Sequence, residues 1–597
     1  MIVKPRDRRA LTEAALGKRP CDLVIKNARI VNVFTGEIYN GNVGIYDGFI
    51  AHIQCDPDNL NISEKELQSE YSYDAKGKYL IPGFIDAHAH VESTMMTPRH
   101  LAEAVIPHGT TTMVTDPHEI ANVCGTEGVR YMHENSSNLP MRQLILIPSC
   151  VPAVPGLENS GAVFLEKEVR ELLDLDRVIG LAEVMDFLGV INNDERMISI
   201  IKAVEERNLF LEGHAPFLSG RELSAYLCAG PNSDHECTVS QEAREKMRSG
   251  MYIDARESSI TKNVKTILDG VKNFRYFDTL TLCTDDREPE DILSVGHMND
   301  VVRKAVSCGL HPIDAVKCST INVAREIGAK NLGAIAPGYA ADMVLTESLE
   351  ELVPSAVFFG GKLVAEEGRL TAVIENMEFM LEKENTIYID DLKVEDFKIK
   401  TPCSASDGKV KARVICYKDF NSSETDIQIE ELPVKDGYVD LSNSELKYAV
   451  VINRHKGFDT KGYGIVRNFG THFGAVGSTV SHDSHNLTIV YDNPENAFEV
   501  ARSIMEGGGG ISCAKDGKVL ETLALPIGGL MSHKSCSLLA EDADRMKRAL
   551  RTLGLTQKEN PLLRIATLAL PVIPKVKMSD LGMVDVLEQK ILEMFVL

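Results

Sequence analysis

The chain has 597 residues, 44% hydrophobic and 25% charged, which excludes a disordered or collagen-like polypeptide and leaves room for two to four domains. Lys and Arg number 64 against 87 Asp and Glu, a formal charge of −23 that argues against a nucleic-acid or anionic-membrane surface as the main partner. No run of ~18 apolar residues marks a membrane span, the N-terminal MIVKPRDRRALTEAALGKRPCDL lacks the apolar centre of a secretory signal, and 13 cysteines without a CxxC pair read as reduced core thiols of a cytoplasmic protein.

Short strand-like runs fill residues 21–80, punctuated by turn residues such as Gly36 and Asp47–Gly48. From residue 81 apolar strand-like runs alternate with amphipathic helical stretches. The runs are GFIDAHAH, TTTMVTDPHE, QLILIPSC, VIGLAEVMD, LFLEGHAP, SDHE, MYIDARESS and LTLCTDD. Polar residues close nearly every one, at positions 88, 116, 149, 183, 214, 235, 257 and 285. Eight strand-plus-helix units with chemistry at the strand ends predict an α/β chain built on a (β/α)8 TIM-like barrel. Helical segments follow, and then GAIAPGYAADMVLTE and PSAVFFGGKLVAEEGRL return to β character. The expected organisation is therefore a small β-sandwich domain built from both flanks, 1–80 and 336–380, a metal-dependent barrel at 81–335, and a C-terminal α+β domain at 381–597. The GGGG at 507–510 reads as a helix end, since no GKS/T follows it to make a phosphate loop.

His88 and His90 stand two residues apart at the end of the first strand, so both imidazoles point to one side and can reach one metal. Glu183, His214, His235 and Asp285 close later strands. Singly, each reads most simply as a satisfied core or surface residue. Together, four histidines and two carboxylates suffice for two divalent first-row ions, with Glu183 bridging and Asp285 beside a bound water.

PGFIDAHAHVEST, GHAP and CTDD, framed by the N-terminal strands and the APGYAADMV return, resemble the amidohydrolase superfamily. Within it the chain resembles the adenine deaminases of bacteria and archaea over nearly its whole length. TDPHEIANVCG after the second strand, Glu183 where many members have a carbamylated lysine, and the C-terminal VGSTVSHDSHN and LALPIGGLMS carry this narrower likeness. The resemblance implies hydrolysis of adenine to hypoxanthine and ammonia, a step of purine salvage, at a binuclear centre. Manganese or iron is favoured, with zinc as a third choice. Carried over by position, His88, His90, Glu183, His214, His235 and Asp285 are the metal-site residues. One departure is Ser258, where the family pattern has glycine after Arg256–Glu257.

The chemistry explains the residue types. Adenine C6 is a weak electrophile, and ammonia leaves only when protonated. A metal-held hydroxide is a nucleophile at neutral pH, and Asp285 can carry its proton to the departing amine. Another group must protonate the ring nitrogen beside C6. Glu257 is the first candidate, then His118 or Glu119. Alternatively, Glu257 only pairs with Arg256, and His118 and Glu119 only cap the helix beginning EIANV. Along the eighth strand Asp285 is expected to point inward and Asp286 away, although Asp286 and Arg256 are candidates for contact with substrate. His482, Asp483 and His485 of SHDSHN are either lent to the site by the C-terminal domain or tie a turn between strands. LPIGGLMS reads as a packing turn.

Two rivals remain: a hydrolase of the same superfamily acting on another amino-purine or a cyclic amide, and a silent scaffold, which would have lost metal histidines. Adenine and water are the expected small-molecule partners, without nucleic acid or membrane, and a homodimer is the default assembly.

Overall fold

The computed structural model describes residues 3–55, 66–375, 379–402, 408–419, 422–556, 560–562, 564–573 and 575–596. All eight strand-like runs form strands in chain order: Phe84–Ala89, Thr110–Thr115, Arg142–Ile147, Val178–Val184, Phe210–Gly213, Ser233–Asp234, Tyr252–Arg256 and Leu280–Cys283. The first five make one parallel sheet and the last three another. The two sheets meet at both edges. Ala89 bridges to Asp285 in parallel, and Asn232 N donates to Leu211 O at 3.3 Å. The strands are buried on both faces, which is why they read as near-continuous apolar runs rather than alternating ones. Gly213 is required where the fifth strand passes the sixth, because a Cβ there would lie 2.0 Å from Ser233 O.

Strands from both flanks form one nine-stranded sheet. Tyr79–Pro82 pairs antiparallel with Met343–Thr346, with Leu80 opposite Leu345. A second nine-stranded sheet carries the C-terminal region, with helices Pro494–Glu506 and Cys536–Thr552 beside it. The first of these ends at Glu506 with Gly507 as its cap, as the GGGG run suggests. Barrel thiols Cys150, Cys237, Cys283 and Cys318 are buried.

The C-terminal region docks on the side of the barrel where the strands end. Lys547 pairs with Glu288 at 2.7 Å and Glu290 at 2.8 Å. Ser532 N donates to Met95 O at 2.9 Å, and Asn486 Nδ2 to Asn159 O at 2.9 Å. The LPIGGLMS turn is held by Arg454, wholly buried, which donates to Gly528 O, His485 O and Thr386 Oγ1. That one guanidinium thus fixes the SHDSHN loop against the same turn.

Candidate metal centre

The strand ends converge on Glu183, whose two oxygens face different partners. Oε1 lies 3.6 Å from His90 Nε2, which is 3.1 Å from His88 Nε2 and 3.4 Å from Asp285 Oδ1. Oε2 lies 2.6 Å from His214 Nδ1 and 3.2 Å from His235 Nε2. All but His214 are more than nine-tenths buried, and its side chain is 12% exposed. Donor atoms about 2.1 Å from an ion, at tetrahedral or octahedral angles, lie roughly 3.0–3.5 Å apart, so this donor set fits two ions sharing one carboxylate. Groups His88–His90–Asp285 and His88–Glu183–His235 each gather close enough to hold one ion.

The first-strand histidines are oriented from behind. His90 Nδ1 lies 3.1 Å from Asp116 O, an acceptor only, so the hydrogen sits on Nδ1 and Nε2 is left for the centre. His88 Nδ1 lies 3.0 Å from Glu212 Oε1. The electrostatics favour added positive charge. Burial opposes protonation of His88, yet Glu212 overrides it and lifts the imidazole to about 9. Burial pushes the Glu183 carboxyl up, but hydrogen bonds from His214 and His235 hold it well below the usual range. Asp285 is likewise held down, against burial, by Arg256 and His90. A divalent ion answers the same field.

The structure separates the other expected residues. Arg256 points inward, paired with Asp285 and with Glu236 at 2.8 Å. Glu257, next along the strand, faces away toward Lys304 at 3.7 Å and is not brought to the cluster. Ser258 replaces the missing glycine by chemistry: its hydroxyl accepts from Ile260 N at 3.1 Å and Thr261 N at 2.7 Å and closes the turn. Asp286 does not point away as strand alternation predicts. Asp285 sits in the left-handed region at φ 56°, which breaks the alternation, and the Asp286 carboxylate turns to Ser93 Oγ at 2.5 Å. The capping reading also changes: Glu92, not Glu119, takes the Ile120 amide at 3.1 Å, while Glu119 Oε1 accepts from Ser93 and its buried Oε2 has no hydrogen-bond partner.

SHDSHN reaches the site. Asp483 Oδ1 lies 3.7 Å from His118 Nε2, His482 Nδ1 3.8 Å from Glu119 Oε1, and His485 Nε2 4.0 Å from Glu119 Oε2. His118 Nδ1 in turn contacts Asp116 at 2.9 Å and Glu183 Oε1 at 3.4 Å. Sequence reading counted Asp116 among the strand ends without giving it a role, and it passed over Glu212 and Ser93. The first two stand two residues before a selected histidine, and that spacing is the signal that could have found them.

Residues 79–364 match the Amidohydrolase family, and residues 422–590 match the family described as Adenine deaminase C-terminal domain. The chain is 41% identical over 580 residues to "Adenine deaminase 2" of Carboxydothermus hydrogenoformans, covering 96% of this chain and 97% of that protein. It is 38% identical to the "Adenine deaminase" of Clostridium acetobutylicum, with 97% and 99% covered. For that of Thermosipho africanus the identity is 38%, with 98% and 99% covered.

Proposed function

The chain belongs to the adenine deaminase family of the amidohydrolase superfamily, and from that membership we propose that it hydrolyses free adenine to hypoxanthine and ammonia. The observation that carries this reading onto the site is the division of Glu183, one oxygen toward His90 and the other toward His214 and His235. His88, His90 and Asp285 would hold one ion, His214 and His235 the other, and Glu183 would serve both. Manganese or iron is the expected metal, with zinc third. Two such ions would supply a nucleophilic hydroxide from water at neutral pH.

The chain's own groups do the rest. Asp285, kept ionised by Arg256, takes the proton of the attacking water and passes it to the amine nitrogen at C6, so that ammonia rather than amide ion departs. Since Glu257 faces Lys304, donation to the ring nitrogen falls to His118 or Glu119, both at the mouth. We place Asp286, Arg256, His482, Asp483 and His485 around the substrate. The C-terminal loop covers the purine and excludes bulk water, which strengthens every charge interaction beneath it.

The domain limits we adopt are those of the sequence reading: 1–80 with 336–380 as the flanking β domain, 81–335 as the barrel and 381–597 as the α+β domain. Among the described residues no helix is long and apolar enough to cross a membrane. We hold the cytoplasm as the compartment and a two-fold homodimer as the assembly.

Ammonia release from adenine, adenosine, guanine and cytosine, measured with apo, manganese, iron and zinc forms, tests the reading. The expected result is turnover of adenine with little of adenosine. Comparable turnover of both, or preference for another base, overturns it in favour of a different amino-purine.

A further inference from the structure

The fourth and fifth barrel strands pair irregularly: Leu211 is opposite Leu181, but Gly213 is opposite Val184. The Glu183 amide falls in this gap and is taken instead by a side chain, Glu212 Oε2, at 3.0 Å. The other oxygen of the same carboxylate lies 3.0 Å from His88 Nδ1, on the first strand, which is not a neighbour of the fifth in the sheet. Glu212 is 1% exposed and His88 wholly buried, so water does not compete for either bond.

We infer that Glu212 is a positioning residue of the metal centre, fixing the ring nitrogen that His88 presents and anchoring the backbone of the bridging Glu183 in the same stroke. This rests on the two-ion reading above. A carboxylate can only accept. The hydrogen of a neutral His88 is therefore drawn to Nδ1, and Nε2 keeps its lone pair toward His90 Nε2 and Asp285 Oδ1. Histidine ligands of metals regularly donate their second N–H to such a group, and its loss typically costs about 10–100-fold in metal affinity. The neighbouring Asp254 makes a useful contrast. It is also buried among the strands, but it accepts from Thr281 Oγ1 at 2.5 Å.

Glu212→Gln keeps the shape and breaks the arrangement. Glutamine offers one acceptor and one donor where two N–H groups converge. If its amide nitrogen faces His88, the imidazole hydrogen moves to Nε2, the atom the ion requires. If it faces Glu183, the bridge loses its anchor.

The test is titration of the metal-free full chain with manganese against a competing chelator, with metal content measured alongside. The parent should hold two ions. Glu212→Gln should bind at least one of them about 10–100-fold more weakly, while Asp254→Asn stays near the parent. Parental affinity for both ions in Glu212→Gln, or equal weakening in Asp254→Asn, overturns the positioning role alone. A parent that holds fewer than two ions overturns the reading beneath it. Should Glu212→Gln not fold, the unmodified apo-protein decides. With 15N-labelled histidine above about pH 9, where the His88 imidazole is neutral, and a His88→Gln spectrum to identify the signal, His88 must carry its one hydrogen on Nδ1. A hydrogen on Nε2 overturns the inference.

Discussion

Arg256 grips Asp285 through Oδ2, while His90 approaches Oδ1 at 3.4 Å from the other side. The carboxylate is held between a fixed cation and the histidine cluster, with one oxygen for each. The acid limb of the pH profile should report this grip. Burial alone would raise the proton affinity of Asp285, and Arg256 and His90 more than offset it. Asp285 works as a base only when ionised. Arg256→Gln should therefore shift the acid limb of kcat/KM to higher pH, and an unmoved limb would detach Arg256 from this role.

Asp285→Asn keeps the size of the side chain and removes the base. Turnover should fall at least about 10²-fold while most of the metal is retained. Asp286→Asn should act mainly on KM, since its carboxylate is held by the Ser93 hydroxyl. If the two variants exchange these effects, the roles of the adjacent aspartates are reversed.

The bridging role proposed for Glu183 requires no carbon dioxide for reconstitution. Metal uptake and recovery of activity by the apo-protein should be indifferent to added bicarbonate. A strong dependence would place a carbamylated lysine in the bridge.

Ser258→Ala removes the acceptor for two backbone amides in a half-buried turn. Leaving such donors unpaired costs about 1–3 kcal/mol, so the thermal midpoint should drop measurably. A Ser258→Gly variant restores the family pattern without restoring the acceptor and should drop as well. An unchanged midpoint in both would show that the turn is held elsewhere.

Lys577 is wholly buried, with Ser423 O as its acceptor at 2.7 Å, and burial, reinforced by Arg564, pushes its ammonium down to about 7. An unfolded lysine titrates near ~10.4. Between those values the unfolded chain binds the extra proton, so this residue's penalty is full below about pH 7 and shrinks as pH rises. Lys577→Met should stabilise the fold near neutral pH and progressively less toward pH ~10. Thermal scans at the two ends check it, and a gain that grows with pH would reverse the assignment.

The barrel was legible because its strands are apolar on both faces and end in titratable groups, so pattern and chemistry coincide at His88, Glu183 and His214. Asp286 was misread because alternation presumes extended backbone, and Asp285 is left-handed. Glu257 was favoured for its chemistry, but the strand turns it toward Lys304, and no spacing rule announces a lysine 47 positions on. Glu212 lay hidden inside LFLEGHAP, where an apolar run draws the eye to its terminal histidine. The reach of SHDSHN to His118 is a docking relationship between distant segments, set by groups such as Arg454 and Lys547 that carry no local signature.

The pairing of Tyr79–Pro82 with Met343–Thr346 imposes a timetable on the nascent chain. The earlier strand leaves the ribosome some 261 residues before its partner, a wait of roughly 13 to 52 seconds at ~5–20 residues per second. Throughout that interval Tyr79–Pro82 can pair with Cys21–Val31 but exposes its other edge. The enzyme's first-begun sheet thus closes only after the whole barrel has been made, and the newborn chain is vulnerable to strand-edge association until the barrel between the two strands has been built.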